Sequence, residues 1–400
     1  MILKLKCKRD LSIIPIMLVL TLAILNIAIL SPALPAMKSF YNISAPISEL
    51  IIIIFLAGYA LSQISFGPIA NIIGYKKSLL FGILIGLTGT LLCIISSFVG
   101  SFFLMLVGRF IEGFGVSCGL ALGFAIINEL YEGKAVRDVT TYGLMVGAIL
   151  PALSNSLGGY LTFHLNWIFC FYFLVIWNLL VLFTCVLIPE SLDNKERSEF
   201  SVKTILNGYI SAINNQKIVL GGITYGIFAA IFYSTIGLLP YIGIEDLALT
   251  AETFGFLFLL SYLGYFKGTV ISKLTTRTMS AKTSMLFGII ISLIGACIFL
   301  FCSLVGFTNS IIVFVCVYIV FTGLPFVFIN SSALAISSHN DKANASSIFN
   351  FIFSLFALVS VLTLQFLKTN PIILLPSIIV ALLIFGLFIC RRFLALSSKR

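Results

Sequence analysis

The stretch PESLDNKERSEFSVKTILNGYISAINNQ, residues 189–216, is the longest polar run in a chain of 400 residues, and it lies near the middle. Its first part holds Pro189, Glu190, Asp193, Lys195, Glu196, Arg197 and Glu199. On either side the sequence is one apolar run after another. Hydrophobic residues make up 60% of the chain and charged residues only 10%, with a mean hydropathy of +1.16. A soluble domain carries about 45–50% apolar and about 25% charged residues. The composition therefore excludes a soluble enzyme, a nucleic-acid-binding domain and a disordered chain. It leaves a polytopic membrane protein.

Working outward from 189–216, charge, Pro and Asn bound six apolar runs before it and six after it. They cover about 11–37, 47–70, 78–99, 102–128, 140–163 and 167–188, then 217–243, 253–274, 282–304, 310–336, 345–367 and 371–394. Each has the length of roughly 20 residues that a bilayer crossing needs. Starts at 11, 47, 78 and 140 recur at 217, 253, 282 and 345, a shift of about 205. That is the hydropathy signature of two parallel halves with a substrate site between them. Twelve evenly spaced helices would give a similar rhythm by chance, but not the shared basic loops at Lys76–Lys77 and Arg277–Lys282. The expected fold is an all-α polytopic membrane protein: twelve transmembrane helices in two pseudo-symmetric six-helix bundles. The first bundle is 1–188, the central cytoplasmic loop 189–216 and the second bundle 217–400. Lys4, Lys6, Lys8 and Arg9 before the first run raise the question of a signal peptide. The run is too long for that and eleven more follow, so it reads as a retained helix.

The formal charge is +10. With the N-terminus inside, about twenty Lys and Arg fall on the cytoplasmic side, and only Lys38 and Lys368 fall outside. Basic residues accumulate in cytoplasmic loops, so both termini are expected in the cytoplasm. The nine cysteines form no CxxC pair. Most, such as Cys93, Cys118, Cys170, Cys185 and Cys316, sit inside apolar runs as packing residues. No metal or cofactor is implied.

Few residues resist the bilayer. Arg109 lies inside the fourth span, where an arginine costs about 2.5–3.5 kcal/mol to insert. Glu112 follows one turn later on the same face. The pair either locks the bundle or carries function; a carboxylate whose cation is contested by substrate would exchange protons. Lys267 in the eighth span either snorkels to the surface or faces a cavity. Asn26 in the first span is a buried amide that needs a partner, in a neighbouring helix or in a substrate. Tyr225, Phe228, Phe232 and Tyr233 follow one side of the seventh span, as packing or as a wall for flat apolar substrates. Gly108, Gly113, Gly115, Gly119 and Gly123 let the fourth helix approach its neighbours closely. Pro151 bends the fifth.

These features resemble the major facilitator superfamily, and more narrowly the Bcr/CflA-type drug:proton antiporters of bacteria. The resemblance rests on SPALPAM (Ser31–Met37), GPIANIIGYKK (Gly67–Lys77), RFIEGFG (Arg109–Gly115), LPALSNSLGGYL (Leu150–Leu161) and the Glu245–Gly255 stretch. It implies a gating motif of Gly67, Gly74, Lys76 and Lys77 paired with Glu129. Its acid position is Asn71 and its arginine Tyr75, implying a weaker or altered gate. Arg109 matches an arginine linked to proton transfer. The antiporter motif's Gly-Pro falls at Ser154–Asn155, while Pro151, Gly158 and Gly159 match. An aspartate usual in the first helix is Ala28 here, so Glu112, the one carboxylate placed well inside a span, is expected to carry the proton.

The resemblance implies a bacterial inner-membrane exporter of small amphipathic compounds, working as a monomer on protons and a small-molecule substrate. The same architecture also serves nutrient, metabolite or siderophore permeases, because fold does not fix function. An enzyme would need clustered nucleophile, base or metal ligands. The two histidines, His164 and His339, lie in loops on opposite sides, and no phosphate loop appears. A sensor would bring a soluble domain, for which no polar stretch is long enough.

Overall fold

The computed structural model describes residues 13–131, 134–190, 202–275, 278–339, 342–364 and 370–397. Thirteen helices make up these segments. They are α1 Ile14–Tyr41, α2 Ala45–Ile73, α3 Tyr75–Val99, α4 Phe102–Ile127, α5 Lys134–His164, α6 Ile168–Cys185 and α7 Val202–Ile213. After these come α8 Gln216–Asp246, α9 Ala251–Thr275, α10 Ala281–Val305, α11 Ser310–Ile336, α12 Asn344–Thr363 and α13 Pro371–Leu396. Eleven of them are long and apolar enough to cross a membrane. The fifth predicted crossing falls on α5. It is helical for 31 residues, 134–164, and the eleven do not include it.

Two local departures from the sequence expectation have physical causes. The segment expected to be loop contains α7. Its apolar residues Val202, Ile205, Leu206, Tyr209, Ile210 and Ile213 recur at helical spacing, and the Tyr209 hydroxyl donates to the Ile64 carbonyl at 2.9 Å. The first span continues past residue 37 to Tyr41. Pro32 and Pro35 lack the N–H that an unbroken α ladder requires, so the chain turns through a tight 3-10 segment at Ser31–Ala33 before resuming. Asn42 ends it in the left-handed conformation, φ 53°.

Packing repeats along the chain. In the first part, α3 packs on α4 and α6, α2 on α4, and α1 on α4, α5 and α6. In the second part, α10 packs on α11 and α13, α9 on α11, and α8 on α11, α12 and α13. Each second set is the first set moved on by the sequence shift. Two further seams join the parts, α5 on α9 and α2 on α12. The same shift interchanges them. Glycines let α4 approach its neighbours closely. A Cβ on Gly113 would strike the Phe55 carbonyl of α2, and one on Gly119 the Val19 carbonyl of α1.

Short connections make successive helices antiparallel. Lys76, Lys77, Lys217, Lys273, Lys282, Arg391 and Arg392 therefore share one end of the molecule, the basic end, and Lys38 marks the far end. The basic residues at 4–9, 195, 197, 277, 368, 399 and 400 lie outside the described residues, as does Glu132.

Candidate transport cavity and a buried ion pair

A cavity of about 170 Å³ lies midway along the helices, between the first and second parts. Five tyrosines line it, Tyr59, Tyr225, Tyr233, Tyr262 and Tyr265, together with Phe55, Phe232, Phe328 and Phe353. Among the described residues, no Asp, Glu, Lys, Arg or His lines it. Ala28 and Pro151 also belong to the wall.

The aromatic wall of α8 follows from helix periodicity. Tyr225, Ala229, Phe232, Tyr233 and Ile236 fall within one arc at 3.6 residues per turn. Tyr225 lies 4.3 Å from Phe328 and 4.6 Å from Phe353, ring centre to ring centre. Phe232 stacks on Phe321 at 5.3 Å and meets Tyr262 edge-on at 5.9 Å. Phe228 lies outside the arc. It is fully buried, with its ring 3.0 Å from where a Cβ on Gly386 of α13 would stand. Of the four aromatics singled out in the sequence, three face the cavity and Phe228 packs behind it.

Lys267 is not in the cavity either. It is exposed, with Nζ 6.0 Å from the Tyr318 ring centre. Its long stem lets it leave the interior, which is the snorkelling alternative.

Arg109, Glu112 and Asn26 form a second, closed site behind Phe55, and all three are fully buried. Arg109 Nη1 meets Glu112 Oε2 at 2.5 Å. Arg109 Nε donates to the Ile51 carbonyl at 3.1 Å and Nη1 to the Asn26 carbonyl at 3.4 Å. The guanidinium lies over Phe55, 4.3 Å from its ring centre. Glu112 Oε1 accepts from Thr90 Oγ1 at 2.9 Å. The knot is incompletely bonded: among the described residues, Arg109 Nη2 and Asn26 Oδ1 have no partner. Asn26 thus touches the ion pair through its backbone and does not line the cavity. Phe55 is the one residue common to both sites, with its ring between cation and cavity.

The far end is sealed by contacts between the two parts. Ser31 Oγ donates to the Ile236 carbonyl at 2.8 Å, and these residues are 205 apart. Lys38 pairs with Glu245 at 2.7 Å, with a separation of 207. Ser48 and Tyr241 share a hydrogen bond of 2.5 Å. Asn155 Nδ2 donates to the Pro151 carbonyl at 3.0 Å and to the Tyr262 hydroxyl at 3.4 Å. His164 Nε2 meets Glu252 at 3.1 Å. Gly158 and Gly159 permit this closeness. A Cβ on the first would strike the Ile29 carbonyl, and one on the second the Ala251 carbonyl across the seam. Asn155, where the motif has proline, supplies a cross-seam amide that proline lacks.

At the basic end, Gly74 is the hinge between α2 and α3, with φ 95°, and it lies under the Glu190 carboxylate. Lys76 donates to the Val186 carbonyl at 2.6 Å. Glu129 and Glu190 both flank Tyr75. Asn71 and Lys77 are exposed, and a Cβ on Gly67 would stand 3.8 Å from Ser347 Oγ of α12. The described ion pairs do not include one between Lys76 or Lys77 and Glu129.

Four residues escape sequence reasoning. Tyr59, Tyr262 and Tyr265 complete the cavity wall; the i,i+3 spacing of Tyr262 and Tyr265 is the signal that could have found two of them. Glu49 reads as a helix-end charge, yet it is 3% exposed. Hydropathy cannot register this, because the residue is covered by the opposite part of the chain.

The Major Facilitator Superfamily model matches residues 16–361, and the chain belongs to that family. It is a multi-pass membrane transporter, not an enzyme. It is 26% identical over 282 residues to an uncharacterized transporter of Rickettsia bellii, covering 69% of this chain and 68% of that one. It is 26% identical over 239 residues to a bicyclomycin resistance protein homolog of Haemophilus influenzae, covering 56% and 57%. The fold matches a crystal structure of a D-xylose-proton symporter with a TM-score of 0.73 at 13% identity, covering 94% of this chain and 96% of that one.

Proposed function

We propose that the chain exports small amphipathic compounds across the bacterial cytoplasmic membrane in exchange for protons, as a monomer in the lipid bilayer. Twelve helices cross, α5 among them, in two six-helix bundles, 1–188 and 217–400, joined by 189–216. The repeated packing pairs support this arrangement. So do Ser31 and Ile236, since residues related by the repeat touch only near the axis that relates the halves. The basic end is cytoplasmic by the excess of lysine and arginine there.

The observation that carries the substrate class is the uncharged aromatic wall. Burying apolar area on rings favours flat, apolar solutes, and tyrosine hydroxyls add a few hydrogen bonds. A polyanionic siderophore or an amino acid finds no counter-charge there. The halves rock about this cavity. Arg109 and Glu112 are the coupling pair. The spare donor of Arg109 and the spare acceptor of Asn26 leave room for rearrangement, and Phe55 transmits occupancy of the cavity to the cation.

The test uses proteoliposomes with an acidic lumen. Proton exit through an antiporter drives an uncharged aromatic antibiotic inward, so accumulation above protein-free vesicles is expected. Glu112→Gln is expected to abolish that uphill accumulation while equilibrium binding remains measurable. Accumulation only when the lumen is alkaline, or of a sugar in place of the aromatic compound, points to a nutrient symporter and ends the reading. Uphill accumulation by Glu112→Gln at the wild-type rate ends the role given to the pair.

A further inference from the structure

Glu49 has no part in the mechanism above. It lies near the start of α2 at the far end, with only 3% of its surface exposed. Its Cγ, Cδ and Oε2 are each 3.9 Å from where a Cβ would stand on Gly237 of α8. The carboxyl group of one half thus faces bare helix of the other, with room for no more than about a methyl group between them. The Ser48–Tyr241 and Ser31–Ile236 hydrogen bonds flank it. It sits inside the seam that must part if the far end opens.

Among the described residues, no ion pair reaches Glu49. The charged groups on neighbouring elements are accounted for elsewhere. Lys38 of α1 is bound to Glu245 of α8. Arg109 of α4 reaches α2 at the Ile51 carbonyl but is held by Glu112. Asp246 is exposed and Tyr241 is bonded to Ser48. Cys93 of α3 faces Glu112. Cys118 and Glu129 lie further toward the basic end, and α12 has no titratable residue.

An ionised carboxylate buried without a cation is heavily disfavoured, whereas a neutral carboxyl is tolerated. Parting the halves would admit water to Glu49 and let it ionise. We propose that Glu49 is a proton-binding latch: the neutral acid holds the far-end seam shut, and its ionisation releases it. The proton enters and leaves on the far side, so it is not the transported one. The inference extends the proton-coupled reading but does not depend on substrate or direction of transport. The sign follows from linkage. The closed state binds one more proton than the open state, so closure strengthens as pH falls, by up to about tenfold per pH unit.

The test measures the seam directly, on the full chain in lipid nanodiscs. Spin labels are placed at Phe98→Cys and Phe307→Cys, both highly exposed and at the far ends of opposite halves. The background replaces Cys7, Cys297 and Cys302 with serine. It also carries His164→Gln, which removes the His164–Glu252 contact across the seam. Distances are read by electron–electron resonance from about pH 5 to about pH 9, the range that brackets a linked proton. The short-distance population is expected to grow as pH falls. Glu49→Gln is expected to stay short at every pH, Glu49→Asp to restore the response, and Glu112→Gln to leave it intact. A parent protein that ignores pH, a Glu49→Gln variant that responds as the parent does, or loss of the response in Glu112→Gln overturns the latch. Glu49→Met gives a second uncharged variant. Aggregation of both uncharged variants means the fold needs the ionised form, and that also overturns it.

Discussion

Glu112→Leu is expected to strip the membrane of folded protein, and Arg109→Met to do so much less in acid. The double variant is expected to fold at every pH. Removing one partner of a buried pair typically costs roughly 3–5 kcal/mol because the other charge is stranded. Here the two strandings differ. Arginine side chains are not deprotonated in proteins, so the Arg109 guanidinium stays stranded. After Glu112→Leu it retains only the Ile51 and Asn26 carbonyls and the Phe55 ring. Glu112 without Arg109 can instead take a proton and remain bonded to Thr90. Unfolded and wet, the same carboxyl ionises near about pH 4.3. Arg109→Met is therefore most stable below about that pH and weakens as pH rises above it. The double variant has no charge left to strand. Thermal melts of detergent-purified protein across this range check the order. Two equally damaged single variants, with a double variant no better than either, would show that the knot is held by shape and not by charge.

Burial of charge is visible in the sequence only where a bilayer imposes it. The helices were legible because a bilayer imposes a length and forbids unpaired backbone, and both constraints write themselves into hydropathy. Arg109 and Glu112 were legible because charge is rare between those limits, and one helical turn separates them. The cavity wall was only partly legible. Tyr225, Phe232 and Tyr233 share an arc of α8, but Phe228 sits just beyond its edge, and no count of apolar residues distinguishes a core face from a cavity face. Tyr59 and Tyr262 reach the cavity because two distant helices meet there. Lys267 depended on where a flexible stem points, which composition does not encode. Glu49 shows the limit most clearly, since the helix it faces, at Gly237, lies nearly two hundred residues away in sequence.

Ala28→Asp is expected to convert a cavity that selects uncharged aromatics into one that prefers aromatic cations. Ala28 is in the cavity wall of α1 and is 1% exposed. It is the position at which the family resemblance implies an aspartate. A carboxylate there would be the first charge on a wall of tyrosine and phenylalanine. With a monovalent planar cation bound, the pair has its counter-ion in a poorly solvated space, where a charged hydrogen bond is worth about 1.5–3 kcal/mol. That corresponds to roughly 10–100-fold in affinity. An uncharged analogue of the same ring system gains nothing, because it must share the cavity with a carboxyl group it cannot neutralise. In wild type the cation has only ring faces to bind, each worth about 0.5–2 kcal/mol, so the discrimination is small. Equilibrium dialysis of ethidium beside an uncharged phenanthridine measures the ratio. The gain should also fade in acid, as the new carboxyl is protonated and the cation loses its partner. An unchanged ratio between the two ligands at neutral pH would mean that the cavity between the halves is not where the substrate binds.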